Sequence, residues 1–329
     1  MRLRIFLSLV LAALVGGVVA PPDCPAPLIW RKGEGWRYES GGVSTAAPNP
    51  TEQLALARSF QAQKDYGHAL DCYRRLLARW PTSSAAQDAQ FGLAECLSRK
   101  GYHYKAFKEY QALLAKHPDT KLFDEVLQRQ FEIGNLFLAG ERDKAWGIRW
   151  FKAPEKAVEI FEQVVKNGPF SPVGPEAQYR VGVAQEKLQE PKLAIRAYEK
   201  VIERYPKHPL AETAAFAIGL AYYREAKQAE YDQGAADQAI TAFSDFLVRY
   251  PRSNRTEMAR QFLVALQREQ ARGLFQIGQF YESNRKYKAA LIYYNEVIEQ
   301  NPQTDWAKLA RRKVETLTPR LAPAPPAPS

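Results

Sequence analysis

The stretch that decides the fold is residues 94–118, which read AECLSRKGYHYKAFKEYQALLAKHP. It holds six landmarks at offsets 0, 3, 12, 16, 19 and 24, and these are Ala94, Leu97, Ala106, Tyr110, Leu113 and Pro118. The two alanines let a pair of helices approach closely, while the large residues three or four positions away fill the space between them. Pro118 lacks a backbone donor and biases the preceding residue out of the α region. The stretch therefore predicts a helical hairpin that ends before Pro118.

The same spacing recurs along the chain. Three more blocks match it without insertions, and they begin at Ala57, Gly182 and Gly278. Two further blocks, which begin at Gly134 and Gly219, match once insertions of 11 and 8 residues are allowed between their helices. Only Gln185, the second landmark of the block that begins at Gly182, breaks the apolar pattern. The chain therefore has six predicted hairpins.

A single hairpin cannot bury its apolar faces alone, but stacked hairpins share a continuous core. We therefore predict an all-α superhelix, an α-solenoid of about six hairpins, over residues 51–318. The helix-turn-helix spacing of ~34 residues resembles that of tetratricopeptide repeats. Such a superhelix has a concave inner surface formed by its first helices.

The second half of the chain resembles the BamD family of outer-membrane assembly lipoproteins. The resembling features are residues 219–223 (GLAYY), the polar insertion up to Asp237, residues 242–247 (AFSDFL) before the Arg249-Tyr250-Pro251 stop, and the long helical stretch 256–283. The resemblance implies an envelope protein that holds barrel-insertion machinery together and recognises unfolded outer-membrane proteins. In the run that contacts the barrel protein in that family, Glu269 replaces an expected arginine here, and Arg268 and Arg272 flank it.

The N-terminus has the pattern of an export signal. Arg2 and Arg4 precede an apolar run that ends in small residues at position 20. We predict a signal peptide over residues 1–20, cleaved after Gly17 or Ala20, with an uncleaved anchor as the alternative. Export places the protein in the periplasm or at the periplasmic face of the outer membrane.

Three cysteines, an odd number, leave at least one thiol unpaired within an exported chain. Cys24 lies where a lipid-modified cysteine would follow a signal, although the usual run before such a cysteine is missing. Lipidation, a free thiol and an intermolecular disulfide therefore stay open for Cys24. Cys72 and Cys96 fall on predicted helices, where burial as small hydrophobic residues is favoured over a mutual disulfide.

No pattern for catalysis or cofactor binding competes with the repeat. The histidines His68, His103, His117 and His208 lack metal-ligand spacing, and the chain has no nucleophile elbow, phosphate-binding loop or dinucleotide motif. We therefore predict no enzyme activity, cofactor, metal site or small-molecule substrate. The net charge of +10 could suit nucleic acid, but the export signal favours protein partners.

The concave surface is the predicted binding site. Positions one and five residues beyond the small landmark of the first helices give the candidates Arg58, Arg99, Asn135, Lys187 and Arg224. Their four cations suit an acidic or carboxylate-bearing peptide. An apolar stripe lies three residues before the same landmark and comprises Leu54, Phe91, Phe131, Tyr179, Phe216 and Phe275. Helical spacing favours core packing for this stripe over contact with a ligand.

Two terminal segments differ from the repeats. Residues 21–50 carry Trp30 and Trp36, which we expect to pack against the first repeat as a cap; a partner-docking peptide is the alternative. Residues 319–329 are rich in proline and alanine and predict an extended tail.

These observations lead to a non-catalytic scaffold. We predict a BamD-type factor whose partners are barrel-assembly machinery or unfolded outer-membrane proteins. The alternative is a periplasmic adaptor that coordinates cell-wall or division machinery, because Tol-associated coordinators share this repeat type.

Overall fold

The computed structural model describes residues 28–31, 35–38, 44–141, 144–145, 148–149, 153–228 and 233–321. Within these ranges the predicted all-α repeat fold is confirmed. In chain order the helices are α1 (Pro50–Ala62), α2 (Tyr66–Arg79), α3 (Ala85–Arg99), α4 (His103–Lys116), α5 (Phe123–Leu138), α6 (Ala153–Asn167), α7 (Gly174–Lys187), α8 (Pro191–Arg204), α9 (Pro209–Gln228), α10 (Gln233–Arg249), α11 (Thr256–Ser283), α12 (Tyr287–Gln300) and α13 (Asp305–Leu317).

The chain forms two compact units, residues 1–89 and 90–329, and the division falls inside α3. The first unit holds the hairpin of α1 and α2. The second unit holds four complete hairpins, which pair α5 with α6, α7 with α8, α9 with α10, and α11 with α12. The last helix, α13, packs on α11 and α12. None of the described helices is both long and apolar enough to cross a membrane.

The predicted proline stops end the second helices. Helices α2, α4 and α8 finish two residues before Pro81, Pro118 and Pro206. The residue between leaves the α region in each case, as at Trp80 with φ −135° and ψ 61°. Its amide still donates to a helical carbonyl, Leu76 O in α2. Each stop is thus made by the proline ring acting on its neighbour, as the sequence predicts.

The small landmarks are required by close packing. A Cβ atom added to Gly278 would lie 2.7 Å from the Tyr294 ring, and one added to Gly219 would lie 2.7 Å from the Phe243 ring. These rings are the fourth landmarks of their own hairpins, and both are fully buried. The spacing between the first and fourth landmarks therefore corresponds to a direct contact between the two helices of a hairpin.

The apolar stripe belongs to the core, as its spacing favours. Phe275 packs against Tyr294 with ring centroids 5.1 Å apart, and Tyr179 packs against Tyr198 at 5.2 Å. The Phe91, Phe131 and Phe216 rings make the corresponding contacts in their hairpins. These side chains fill the space between the two helices of each hairpin.

Buried glutamines form a pattern that the sequence analysis missed. Four of them lie four residues before the small landmark, and these are Gln53, Gln90, Gln130 and Gln178. The Gln53 side chain donates to the Cys72 carbonyl at 3.1 Å, and Gln178 donates to the Ala197 carbonyl at 3.1 Å. In both hairpins the bond joins the first helix to the backbone of the second.

The N-terminal segment contains a short strand pair, in which one of the two tryptophans expected to form a cap is exposed. Strand β1 (Leu28–Arg31) pairs antiparallel with β2 (Gly35–Tyr38), which places Trp30 opposite Trp36. The Trp30 side chain is 58% exposed, so its ring is not buried against the first repeat. A two-stranded pair leaves its faces open unless a further element covers them.

Contacts to the first hairpin come instead from the stretch just before α1. The Ala47 amide donates to Gln53 Oε1 at 2.7 Å, and Gln53 Nε2 donates to the Thr45 carbonyl at 2.9 Å. The buried glutamine thereby satisfies backbone groups that would otherwise lack partners. Among the described residues of segment 21–50, the stretch 44–47 therefore docks on the first hairpin.

Three further short elements depart from prediction. Strands β3 (Lys144–Ala145) and β4 (Ile148–Arg149) pair within the insertion between α5 and α6. At the other end Thr318–Leu321 forms a 3-10 helix where an extended tail was expected. Thr318 Oγ1 donates to the Val314 carbonyl at 2.7 Å, and the Arg320 guanidinium lies over the Tyr287 ring. The predicted signal peptide, Cys24 and tail residues 322–329 lie outside the described residues.

Helix α11 serves two hairpins. Ala259 and Leu266, in its first half, join a core cluster with α9 and α10. Ala271 and Phe275, in its second half, join a cluster with α12 and α13. The 28-residue length of α11 therefore follows from two successive packing surfaces on one helix.

Candidate functional site

Two of the predicted binding cations contact neighbouring first helices. Arg58 Nη2, in α1, lies 2.8 Å from Asp88 Oδ2, at the start of α3. Lys187 Nζ, at the end of α7, donates to the Leu138 carbonyl at 2.7 Å. The second contact places a positive charge at the C-terminus of α5, where the helix dipole favours it. Both cations therefore contribute to contacts inside the protein.

Arg224 belongs to a group of three side chains. Its Nη1 lies 3.0 Å from Glu186 Oε2, and Glu186 accepts a hydrogen bond from Tyr198. The tyrosine comes from the second helix of the hairpin, the glutamate from its first helix, and the cation from the next first helix. We call this arrangement the tyrosine–glutamate–cation triad.

The triad occurs two more times in the second unit. Tyr110 Oη donates to Glu95 Oε1 at 2.5 Å, and Arg129 Nε lies 3.2 Å from the same oxygen. Tyr294 Oη donates to Glu282 Oε2 at 2.6 Å, and Lys313 Nζ lies 3.0 Å from Glu282 Oε1. A buried tyrosine hydroxyl requires such a partner. Arg224 therefore stabilises the fold in the way that Arg129 and Lys313 do.

Burial sets the acid–base behaviour of the triads. It raises the pKa of Tyr294, and the hydrogen bond to Glu282 raises that pKa further. Burial also raises the pKa of Glu282, but hydrogen bonds from Tyr294 and Lys313 outweigh it and bring the pKa below its usual value. Glu282 is thus a charged carboxylate with both partners in place at neutral pH.

The two remaining candidates, Arg99 and Asn135, differ from the three paired cations. Arg99 is exposed and Asn135 is half-buried, and neither side chain has a hydrogen-bond or ion-pair partner among the residues that the structure describes. Three of the four candidate cations are paired, so an acidic ligand would have to displace their partners. The charged-groove interpretation stays a prediction, and its uncommitted cation is Arg99.

A larger site lies beside the long helix. A groove of about 550 Å³ runs between α9, α10 and α11, and we call it the long-helix groove. Its apolar lining comprises Ala226, Ala236, Ala265, Leu266, Ile277 and Phe280. The Phe280 side chain is 63% exposed. Gly273 also lines the groove and leaves the backbone of α11 uncovered there, because a Cβ atom on Gly273 would meet no atom within 4 Å.

Polar groups border the same groove. Glu269, which replaces the arginine expected from the resemblance, lies 2.7 Å from Arg272 in an ion pair. Gln270 Nε2 donates to Asp237 Oδ1 at 2.5 Å and so ties α11 to α10. The groove therefore combines an apolar floor with a fixed polar rim, which is the usual composition of a protein-binding site.

Sequence reasoning did not find this groove because three helices from two hairpins form it. The available signals were Gly273 in the middle of a helix, where glycine costs about 1 kcal/mol relative to alanine, and the exposed Phe280. Neither belongs to the six landmarks.

Two of the three cysteines lie within the described residues. Cys72 and Cys96 are free thiols and fully buried. Burial raises the pKa of Cys72 to about 11 and that of Cys96 to about 12. Nowhere in the described ranges do three or more potential metal-ligating side chains cluster.

Comparison with known proteins identifies two matching family models. The model of YfiO, described as an outer membrane lipoprotein, matches residues 152–317. A tetratricopeptide-repeat model matches residues 54–120. No curated protein matches the chain.

Solved structures of repeat proteins also align. The C-terminal part of a repeat protein from Cytophaga hutchinsonii is 16% identical with a TM-score of 0.38, and the alignment covers 80% of this chain and 87% of that one. A tetratricopeptide protein from Parabacteroides merdae is 14% identical with a TM-score of 0.34, covering 82% and 98%. The MamA protein is 19% identical with a TM-score of 0.35, covering 62% and 92%.

Proposed function

This chain belongs to the YfiO family of outer membrane lipoproteins, and we propose that it is a non-catalytic envelope scaffold that helps to assemble outer-membrane proteins. The observation that carries the proposal is the family match over residues 152–317, which include the helices that form the long-helix groove. The proposed site of action is the periplasm or the periplasmic face of the outer membrane.

The long-helix groove is the proposed contact for the assembly machinery. Burying the exposed part of Phe280 would contribute roughly 1–2 kcal/mol, by the usual free energy for a phenylalanine side chain. Gly273 lets a partner segment approach the backbone of α11 closely. The Glu269–Arg272 ion pair lies at the rim, where charges set orientation more than affinity. An apolar segment of a partner protein suits this combination.

Pull-down from detergent-solubilised envelopes, followed by mass spectrometry, tests the proposal. We expect an outer-membrane β-barrel assembly protein among the captured partners. Its consistent absence, with the bait folded by circular dichroism, would contradict the assembly function.

The second candidate is a periplasmic adaptor for cell-wall or division machinery. It is favoured by the match at residues 54–120, which is to the tetratricopeptide repeat in general. In the same pull-down this candidate predicts cell-wall or division proteins in place of the barrel-assembly protein. The identities of the captured proteins therefore separate the two functions.

A further inference from the structure

A second groove lies on the surface of the second helices, in a different part of the repeat unit. It has a volume of about 450 Å³ and lies between α6 and α8, with α7 at its floor. None of the described residues that line it also lines the long-helix groove. We call it the basic groove.

The floor of the basic groove carries a polar side chain in an apolar position. Gln185 occupies the second landmark, where the other hairpins have Phe60, Leu97, Phe137, Tyr222 and Tyr281. It is only 9% exposed, and its amide has no hydrogen-bond partner in the described part of the chain. Gln178, also in the lining, instead donates to the Ala197 carbonyl. Neither amide atom of Gln185 is among the described polar atoms that are both buried and without a partner, so the amide is open to the groove and can donate to and accept from a ligand.

The rim of the groove is strongly positive. Among the described lining residues the cations are Lys166, Arg196, Lys200 and Arg204, and the one carboxylate is that of Glu162. In the described residues Lys166, Arg196 and Lys200 have no ion-pair partner. Like charges around one groove repel one another, and an anionic ligand would relieve that repulsion.

The equivalent groove one hairpin further along has the opposite character. It lies between α8 and α10, with Tyr222 at the position of Gln185. Its described charged residues are Glu199, Asp237, Asp245 and Arg249, and Arg249 is the one cation among them. The positive rim and the polar floor of the basic groove are therefore not shared by this neighbouring groove.

We infer that the basic groove binds an acidic segment of a partner protein in which carboxylates alternate with aliphatic side chains. The carboxylates pair with Arg196 and Lys200, since charge-assisted hydrogen bonds are the strongest available there. The aliphatic side chains contact Val181 and Leu193, which is 42% exposed. The Gln185 amide, which both donates and accepts, pairs with the backbone of the segment.

The shape of the site favours a peptide over an anionic membrane surface. Gln185 lies at the floor of the groove, whereas a flat bilayer would reach only the exposed cations at the rim. An extended peptide can meet both levels, because alternate side chains point in opposite directions. This inference goes beyond the proposed function, which rests on the long-helix groove.

Fluorescence anisotropy with two labelled peptides tests the inference on the full chain. One peptide is amidated Asp-Leu-Asp-Val-Asp-Leu-Asp-Val, and the other has asparagine at each aspartate. We expect tighter binding of the aspartate peptide, weakened by salt as the screening length shortens to ~8 Å at physiological ionic strength. R196E/K200E should weaken its binding about tenfold or more, as expected when charged partners are reversed. Equal affinity for the two peptides, or no binding of either, would overturn the inference.

Two further variants separate the groove from general charge and from folding. K286E/K288E makes the same double charge reversal at exposed positions at the start of α12, and its affinity should equal that of wild type. Gln185→Leu restores the apolar landmark, so the fold should survive while affinity falls about fivefold. Equal losses in R196E/K200E and K286E/K288E, or unchanged affinity in Gln185→Leu, would contradict the assignment. Capture of a barrel-assembly protein should be unaffected by Gln185→Leu, so the two proposals can fail separately.

Discussion

Each buried tyrosine landmark has a hydrogen-bond acceptor on the first helix of its own hairpin. Tyr73 donates to Gln61, and the other three, in the triads, donate to glutamates. Three of these acceptors lie four residues after the small landmark, whereas Glu95 lies one residue after Ala94. In the hairpins of Phe161 and Phe243 the residues four positions after the small landmark are Leu138 and Tyr223, neither of which is a carboxylate. The pairing at these positions thus follows the presence or absence of a buried hydroxyl.

The Tyr294–Glu282 pair provides a quantitative test of this rule. Glu282→Leu leaves the Tyr294 hydroxyl and the Lys313 ammonium without their partner, and we expect a loss of about 1–3 kcal/mol in the free energy of unfolding. The double variant E282L/Y294F should recover part of that loss, since it reproduces the combination of Phe161 and Leu138. Urea unfolding of the four proteins measures the cycle. Strict additivity of the two single changes would contradict the coupling.

The same carboxylate predicts a dependence of stability on pH. The folded-state pKa of Glu282 lies below its usual value of 4.5, because the Tyr294 and Lys313 hydrogen bonds outweigh burial. A depressed folded pKa contributes stability that is present above the unfolded pKa and is lost as pH falls through the folded pKa. We expect wild type to lose more free energy of unfolding than Glu282→Gln when the pH is lowered from 7 to about 3. Parallel pH profiles would contradict this contribution.

The buried thiols predict a chemical result. Cys72 and Cys96 are fully buried, with pKa values of about 11 and about 12, so the reactive thiolate is scarce. Neither should be alkylated by iodoacetamide at pH 8 in the folded protein, and both should react in denaturant. Peptide mapping by mass spectrometry identifies the labelled positions. Rapid native labelling of Cys96 would show that this part of the core opens.

At the scale of elements, the landmarks predicted the helices because each reports a contact inside one hairpin. Gly278 against Tyr294 is such a contact, and Pro81 acts on Trp80, its immediate neighbour. The buried glutamines could not be predicted from the sequence, because a glutamine side chain in a helix is ordinarily exposed to solvent. Gln53 and Gln178 are buried because each satisfies a backbone carbonyl of the second helix.

Ala194, the small landmark of α8, tests the close helix contact. It is fully buried, and we expect Ala194→Trp to destabilise the fold by about 1–3 kcal/mol or more through overpacking. Leu193→Trp, at the neighbouring exposed position, is the control and should change the melting temperature little. Thermal unfolding followed by circular dichroism compares them. Equal melting temperatures would remove Ala194 from the packed interface.

At the scale of the whole molecule, the sequence located the repeat but only part of the binding surface. Spacing correctly placed Lys187 and Arg224 on first helices, but it could not show that the Leu138 carbonyl and Glu186 on neighbouring hairpins contact them. The long-helix groove arises between hairpins, so no single block encodes it. Gln185 was visible as the one break in the pattern, although its role depends on the cations of α6 and α8.

The central claim is that this family member binds barrel-assembly machinery through the long-helix groove. Phe280 and Ile292 are exposed to similar extents, 63% and 65%, but only Phe280 lines the groove. The variants Phe280→Ser and Ile292→Ser therefore remove comparable apolar surface at two sites, one inside the groove and one outside it.

The most direct measurement is the amount of barrel-assembly protein captured from solubilised envelopes by equal amounts of wild type, Phe280→Ser and Ile292→Ser. Matched circular dichroism spectra establish that all three baits are folded. Loss of about 1–2 kcal/mol from the buried phenylalanine corresponds to roughly 5- to 30-fold weaker binding. We predict strong capture by wild type and Ile292→Ser and little by Phe280→Ser. Equal capture by all three proteins would contradict the claim.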